Sequence, residues 1–147
     1  MLLLKIKETG VTPRRLRGVV RDRQVKMFGR LGEYWHRFFR PKHFTQAGAT
    51  EYGYQRRSPK YERRKLRLYG HSHPLVATGE SRELSRMKDV RATSKGVRII
   101  MPAIRKLNFT PQGGTIKMAE EMRTISANEQ KQLEKLGEHH MNKNEAA

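Results

Sequence analysis

Between Thr12-Pro13 and Pro41 the apolar residues Leu16, Val20, Met27, Leu31, Trp35 and Phe38 recur at separations of 4, 7, 4, 4 and 3. That spacing holds them on one side of a helix, because residues three, four and seven apart share a helical face. Arg17, Arg21, Arg30 and Arg37 fall on the other side. The boundaries are marked too. A threonine hydroxyl can cap the free N–H groups of a first turn, proline is tolerated at the first helical position, and Pro41 stops a helix. One long amphipathic helix is predicted, or two joined at a kink where Gly29 and Gly32 each cost about 1 kcal/mol against alanine.

The other elements are shorter. Leu2, Leu4 and Ile6 alternate with Leu3, Lys5 and Lys7, the period of a strand with one apolar face. Val90 and Ala92, then Val97, Ile99 and Met101, flank Thr93-Ser94-Lys95-Gly96, which reads as a β-hairpin whose arms extend the sheet begun at residue 2. Residues 115–124 fit either a strand, with Ile116, Met118 and Met122 on one parity, or a helix through Ala119-Glu120-Glu121-Met122. Ser126 followed by Glu129 has the capping-box pattern and opens a helix to about residue 142, with Leu133 and Leu136 as a narrow stripe. The expected fold is α+β in a single domain over residues 1–147. It has a small antiparallel or mixed sheet packed by the long N-terminal helix and a C-terminal helix. Residues 42–57, without a sustained period, are expected as a protruding loop carrying Phe44, Tyr52 and Tyr54, and residues 142–147 as an extended tail.

Composition limits the chemistry. The net charge is +18 over 147 residues, and residues 1–70 hold 19 Lys/Arg against 5 Asp/Glu. A field of that size calls for a polyanion, an acidic protein surface or a lipid headgroup layer as its counterpart. Hydrophobic residues make up 35% of the chain, below the usual 45–50%, so a modest core and a large surface are expected. No cysteine is present, which removes disulfides, thiolate metal sites and cysteine nucleophiles together. No window approaches the roughly 18 apolar residues of a spanning helix, and the apolar run at Leu2-Leu3-Leu4 is too short for a signal peptide.

Catalytic constellations are missing at sequence level. The pairs His71/His73 and His139/His140 lack a third ligand nearby, so turn and helix-end roles are preferred over zinc. Gly113-Gly114 has neither the lysine nor the spacing of a phosphate-binding loop. Glu120 and Glu121 are adjacent and point apart on any regular element. Trp35, Phe38 and Phe39 carry rings that stack on bases, but their helical spacing favours core packing. No catalytic residue, cofactor or metal is expected.

The basic cluster is the candidate site. Ser58-Pro59 opens a short helix closed by Gly70, and on it Lys60, Arg63, Arg64 and Arg67 follow one another at separations of 3, 1 and 3 along one side. With Arg56, Arg57 and Lys65 they form the expected contact surface for a polyanion or a neighbouring subunit. Only Glu62 interleaves the run.

In order, the chain shows a basic amphipathic helix, Phe44-Thr45 with a Gly/Ala/Tyr-rich stretch, a Ser-Pro-x-Tyr basic helix, Pro74-Leu75-Val76-Ala77-Thr78-Gly79, and a β-hairpin. This order resembles the tail-completion or virion-morphogenesis proteins of tailed bacteriophages, the Mu-like neck and tail-terminator group. Leu75-Val76-Ala77-Thr78-Gly79, residues 90–93 and residues 97–102 carry the resemblance, which spans about residues 12–140. Ser81 and Leu84 stand where that family usually has an apolar residue and a serine. The resemblance implies a non-enzymatic virion protein, assembled in the host cytoplasm. Six or twelve copies would form a ring around the DNA channel of the neck, against head–tail connector and tail-tube proteins, with viral DNA as a further partner and no membrane. The rival expectation is a ribosomal or other RNA-binding structural protein, to which the size and a pI near 10.8 are equally suited. Against it, no aromatic RNP segment and no Gly-x-x-Gly loop is present.

Overall fold

The computed structural model describes residues 12–108 and 114–143. The expected strand at residues 2–7, residues 109–113 and the last four residues of the expected tail lie outside the described residues. Helix α1 runs Pro13–Tyr34, with the Thr12 hydroxyl accepting from the Arg15 N–H and proline in the first turn. Its α-helical form ends before Pro41, and the helical path goes on past the proline. The chain continues through one π-type turn, Trp35–Phe39, and a 3₁₀ turn, Arg40–Phe44, whose first turn accommodates the proline. Proline breaks a helix by its missing N–H and its clash with the carbonyl four residues back, and a change of helical pitch at Phe39 removes both requirements.

Four further helices and a hairpin precede the C-terminal pair. They are α2 (Gln46–Glu51), α3 (Pro59–Tyr69), α4 (Glu80–Leu84), strands β1 (Asp89–Thr93) and β2 (Gly96–Ile100), and α5 (Ala103–Leu107). The pair is α6 (Met118–Arg123) and α7 (Ala127–Asn142). The helical alternative for residues 115–124 is therefore the one observed. β1 and β2 pair antiparallel as the expected hairpin, with Val90 opposite Ile99; Thr93 and Gly96 pair as the last strand residues, so the turn is Ser94-Lys95 and does not include the glycine. The fold is α+β, with a two-stranded sheet among the described residues.

Glycine fixes how the sheet meets the long helix. A Cβ added at Gly32 would stand 2.7 Å from Val97 Cγ2 and 3.0 Å from Val90 Cγ1, so only hydrogen lets the inner face of the hairpin sit directly on α1. Gly32 is thus a contact point and not a kink. α7 crosses the same stretch of α1 with Gly137 toward Met27 and Leu31. The core lies at this crossing. Trp35, Phe39, Phe44, Leu75, Val76, Met101, Leu107, Ala119 and Met122 form one buried cluster, with Tyr54, Ile99 and Leu133 packed against it.

Two expectations are corrected by the packing. The apolar stripe of α1 is buried only in its C-terminal half: Leu16 and Val20 are exposed, because among the described residues no element lies against the first turns. Residues 42–57 do not protrude. Phe44 and Tyr52 are buried, and Tyr54 packs against the core. This segment folds as the 3₁₀ turn plus α2, capped by the Thr45 hydroxyl accepting from the Gly48 N–H at 3.0 Å. The sequence shows no period there because the segment is built of two short helical pieces of different pitch.

Candidate functional site

Helix α3 carries the predicted cationic face, and its local construction follows the sequence closely. The Ser58 hydroxyl accepts from the Tyr61 N–H at 3.3 Å, Pro59 begins the helix, and Gly70 closes it at φ +71°, a left-handed conformation open to glycine. At about 100° per residue, Lys60, Arg63, Arg64 and Arg67 occupy roughly one third of the circumference, and Lys65 points almost oppositely. Burial agrees with that geometry. The four rail residues are exposed and Lys65 is buried, with its ammonium donating to the His73 carbonyl oxygen. Burial lowers the Lys65 pKa, and the charge of Arg57 adds to the shift. Lys65 is therefore a tether of α3 to the connector and not a contact for an outside anion, which corrects its place in the predicted set.

Arg57 leaves the set as well. Its guanidinium makes a fork on Glu121, Nη1 to Oε1 at 2.6 Å and Nη2 to Oε2 at 2.5 Å, and both side chains are largely buried. The Gln55 N–H donates to the same carboxylate at 3.1 Å. The hydrogen bonds to Glu121 raise the Arg57 pKa above its ordinary value, against the opposing effect of burial. Such a pair fixes the entry of α3 onto the C-terminal elements. Arg56 stays exposed. The surviving candidate surface is Arg56, Lys60, Arg63, Arg64 and Arg67, with exposed Tyr61, Leu66 and Leu68 on the same helix.

The aromatic residues predicted on the loop instead build a buried polar cluster. His43 stacks on Tyr52 with ring centroids 3.9 Å apart and planes 5° from parallel, and its Nδ1 shares a hydrogen bond with the Tyr54 hydroxyl. The Tyr52 hydroxyl donates to Glu129 Oε1 at the start of α7, where Glu129 also completes the capping box with Ser126. Ser126 donates in turn to Glu51 at 2.8 Å. Burial pushes the His43 imidazole down to about 4, partly offset by the main chain of Glu121. Burial and the Glu129 carboxylate push the Tyr52 phenol up. Phe44, Tyr52 and Tyr54 consequently serve the core and offer no assembly loop to a neighbour.

The connector between α3 and α4 stands out for strain. Leu75 has φ +57°, unusual for a residue with a Cβ, and it is held there by burial of Leu75 and Val76 in the core. His71 and His73 stack at 5.2 Å, and among the described residues no group of three or more His, Asp or Glu is placed to hold a metal ion. No described helix is long and apolar enough to cross a membrane.

Sequence reasoning missed two surfaces. One is an apolar groove of about 670 Å³ alongside β2, walled by Phe28, Leu31, Trp35, Ile104, Ile125 and Leu133. The exposed Ile100 and Ile125 belong to it. The other is a cationic groove beside the π-type turn, where Phe38 lies outward although its spacing from Trp35 suggested the core. Long-range packing creates both, and the only local signal was a run of six residues, Tyr34 to Phe39, too rich in rings for one helical face to bury. Comparison of the chain with protein-family models, with curated proteins and with solved structures finds no match.

Proposed function

We propose that this protein is a structural, non-enzymatic subunit of a tailed-phage neck, a tail-completion or tail-terminator protein that closes into a ring of six or twelve copies and joins head to tail around the DNA. The observation that carries this reading is the apolar groove along β2. Among the described residues β2 is the edge of a two-stranded sheet, and its outward-facing Ile100 and the nearby Ile125 remain exposed in a chain otherwise dominated by charge. An open strand edge flanked by apolar surface is a template for an extended segment from another chain. A contact between two unlike surfaces of identical subunits repeats head to tail and closes into a ring when the rotation permits.

The charge supplies the rest of the reading. The rail Lys60, Arg63, Arg64 and Arg67 lies on the outer side of α3 with no ion pair among the described residues, so it is available to DNA phosphates or to carboxylates of an adjacent ring. The resemblance in the order of motifs selects the phage neck from other polyanion-bearing assemblies.

Native mass spectrometry and negative-stain imaging of the purified protein, alone and with neighbouring virion proteins, test the ring. Closed six- or twelvefold particles are expected. Ile100→Asp, at an exposed position, should leave the monomer folded and prevent closure. Reversal of the four rail charges should block joining of heads to tails with the fold intact. A protein that stays monomeric at every concentration and never enters particles would overturn the reading.

A further inference from the structure

We infer that the cationic groove beside the π-type turn is a binding site for single-stranded nucleic acid, in which its cations hold phosphates and Phe38 stacks on a base. The groove is open, about 890 Å³, and its walls carry Lys26, Arg30, Arg37, Arg40 and Lys88. Glu33 is the one carboxylate among the lining residues, and it is already bound to Lys88. Among the described residues the site therefore holds an excess of cations over carboxylates.

Arg40 makes the imbalance specific. Its guanidinium is fixed by donation from Nε to the His36 carbonyl at 3.1 Å and from Nη1 to the Ser85 hydroxyl at 2.5 Å, acceptors without formal charge. Burial lowers its pKa, Arg86 and Arg82 lower it further, and Glu83 offsets only part of this. A preorganised guanidinium among like charges is relieved by an incoming anion, and phosphate suits its planar donors. Arg30 is ordered as well, with Nη1 3.1 Å from His140 Nδ1.

The rings add what a bare anion site lacks. In the π-type turn each residue advances through a smaller angle than in an α-helix, because its hydrogen bonds close five residues apart, so Phe39 comes onto the core face of Trp35 while Phe38 is left facing outward. Phe38 is 49% exposed, lies against Tyr34 at 4.6 Å between centroids, and has the Arg37 guanidinium 5.3 Å from its own. An exposed ring set among cations is the combination that binds single strands, by stacking on bases and tracking the backbone. A duplex keeps its bases stacked internally, and an acidic peptide presents no matching planar face. The site is separate from the rail on α3, and it functions whether or not the protein closes into a ring.

Fluorescence anisotropy tests this with labelled oligo-dT and oligo-rU of about twelve nucleotides, within the range of site sizes known for single-strand binders. The competitors are a duplex of equal length and polyglutamate. Phe38→Ala should weaken single-strand binding at least about fivefold while leaving the salt slope unchanged, and Phe38→Trp should retain it. Lys26→Glu with Arg37→Glu should weaken binding and reduce the log–log salt slope by roughly 1–2. All these positions are exposed, so an unchanged thermal melt is expected and serves as the control. Reversal of Arg63 and Arg64 should leave the Phe38 sensitivity in place. Equal binding by Phe38→Ala and the unaltered protein would overturn the inference, as would preference for the duplex. Displacement of the oligonucleotide by polyglutamate at matched charge would overturn it in favour of an acidic protein partner.

Discussion

The segment from residue 40 to residue 57 and helix α3 adjoin in sequence, and both are basic and tyrosine-bearing, yet one is core and the other surface. In the first, Phe44 and Tyr52 are buried and His43 is fully enclosed. In the second, Lys65 alone is buried over eleven residues, while Tyr61, Leu66, Leu68 and Tyr69 stay exposed. The difference lies in partners distant in sequence. Tyr52 meets Glu129, 77 residues away, and Arg57 meets Glu121, 64 residues away. Among the described residues α3 finds its partners close by in sequence, the His73 carbonyl eight residues from Lys65 and the His71 ring beside Tyr69. Aromatic content thus does not decide burial; what distant parts of the chain bring against each ring does.

The comparison breaks most visibly at Tyr52. Tyr52→Ala removes a buried ring and leaves the enclosed Glu129 without its phenol donor, and a loss of about 4 kcal/mol is expected in urea unfolding. Acid probes the same cluster. His43 is held neutral with its pKa at about 4 against 6.5 in an unfolded chain, so the unfolded state binds the extra proton between those values. Stability should be complete above about pH 6.5 and decline by about 3 kcal/mol as the pH falls to about 4, at about 1.4 kcal/mol per unit. Urea midpoints measured from pH 7 to pH 4 check the direction. A stability that rose on acidification would contradict the enclosure of His43.

Changes in α3 are smaller. Ser58→Ala removes the N-cap and should cost about 1 kcal/mol, visible as a lowered Tm together with reduced protection of the first α3 amides in hydrogen exchange. Leu66→Ala, on an exposed side chain, should fall within about 0.5 kcal/mol of the unaltered protein in the same unfolding assay. Together with Tyr52→Ala this gives an expected ratio of at least about eightfold between two large side chains 14 positions apart.

Legibility in the sequence followed the same division. The capping box at Ser126 and Glu129, the Ser58-Pro59 start and Gly70 stop of α3, and the hairpin itself were readable because each is set by residues within a few positions of one another. The loop at 42–57 was misread because two helical pieces of unequal pitch leave no single period. Of the predicted cationic surface, Lys60, Arg63, Arg64 and Arg67 were placed correctly by helical geometry, since angular position on a helix depends on spacing alone. Arg57 and Lys65 were not, because neither Glu121 nor the His73 carbonyl is recognisable as a partner in a linear chain. The Phe38 groove was hidden for a related reason: the π-type turn that turns the ring outward changes the pitch on which the spacing argument relied.

By itself the sequence determined helices α1, α3 and α7, the hairpin, the α+β class, the excess of positive charge and the absence of cysteine chemistry. These depend on local propensity, caps and composition, which act between near neighbours. Only the tertiary structure decided which cations remain open and which are tied to Glu121 or a carbonyl. It also decided that the tyrosines of residues 52 and 54 serve the core, and that grooves open along β2 and beside Phe38. The physical reason is burial: whether a charge or a ring faces water depends on what the rest of the chain brings against it, and close packing of Gly32 on the hairpin sets that arrangement from the middle of the molecule.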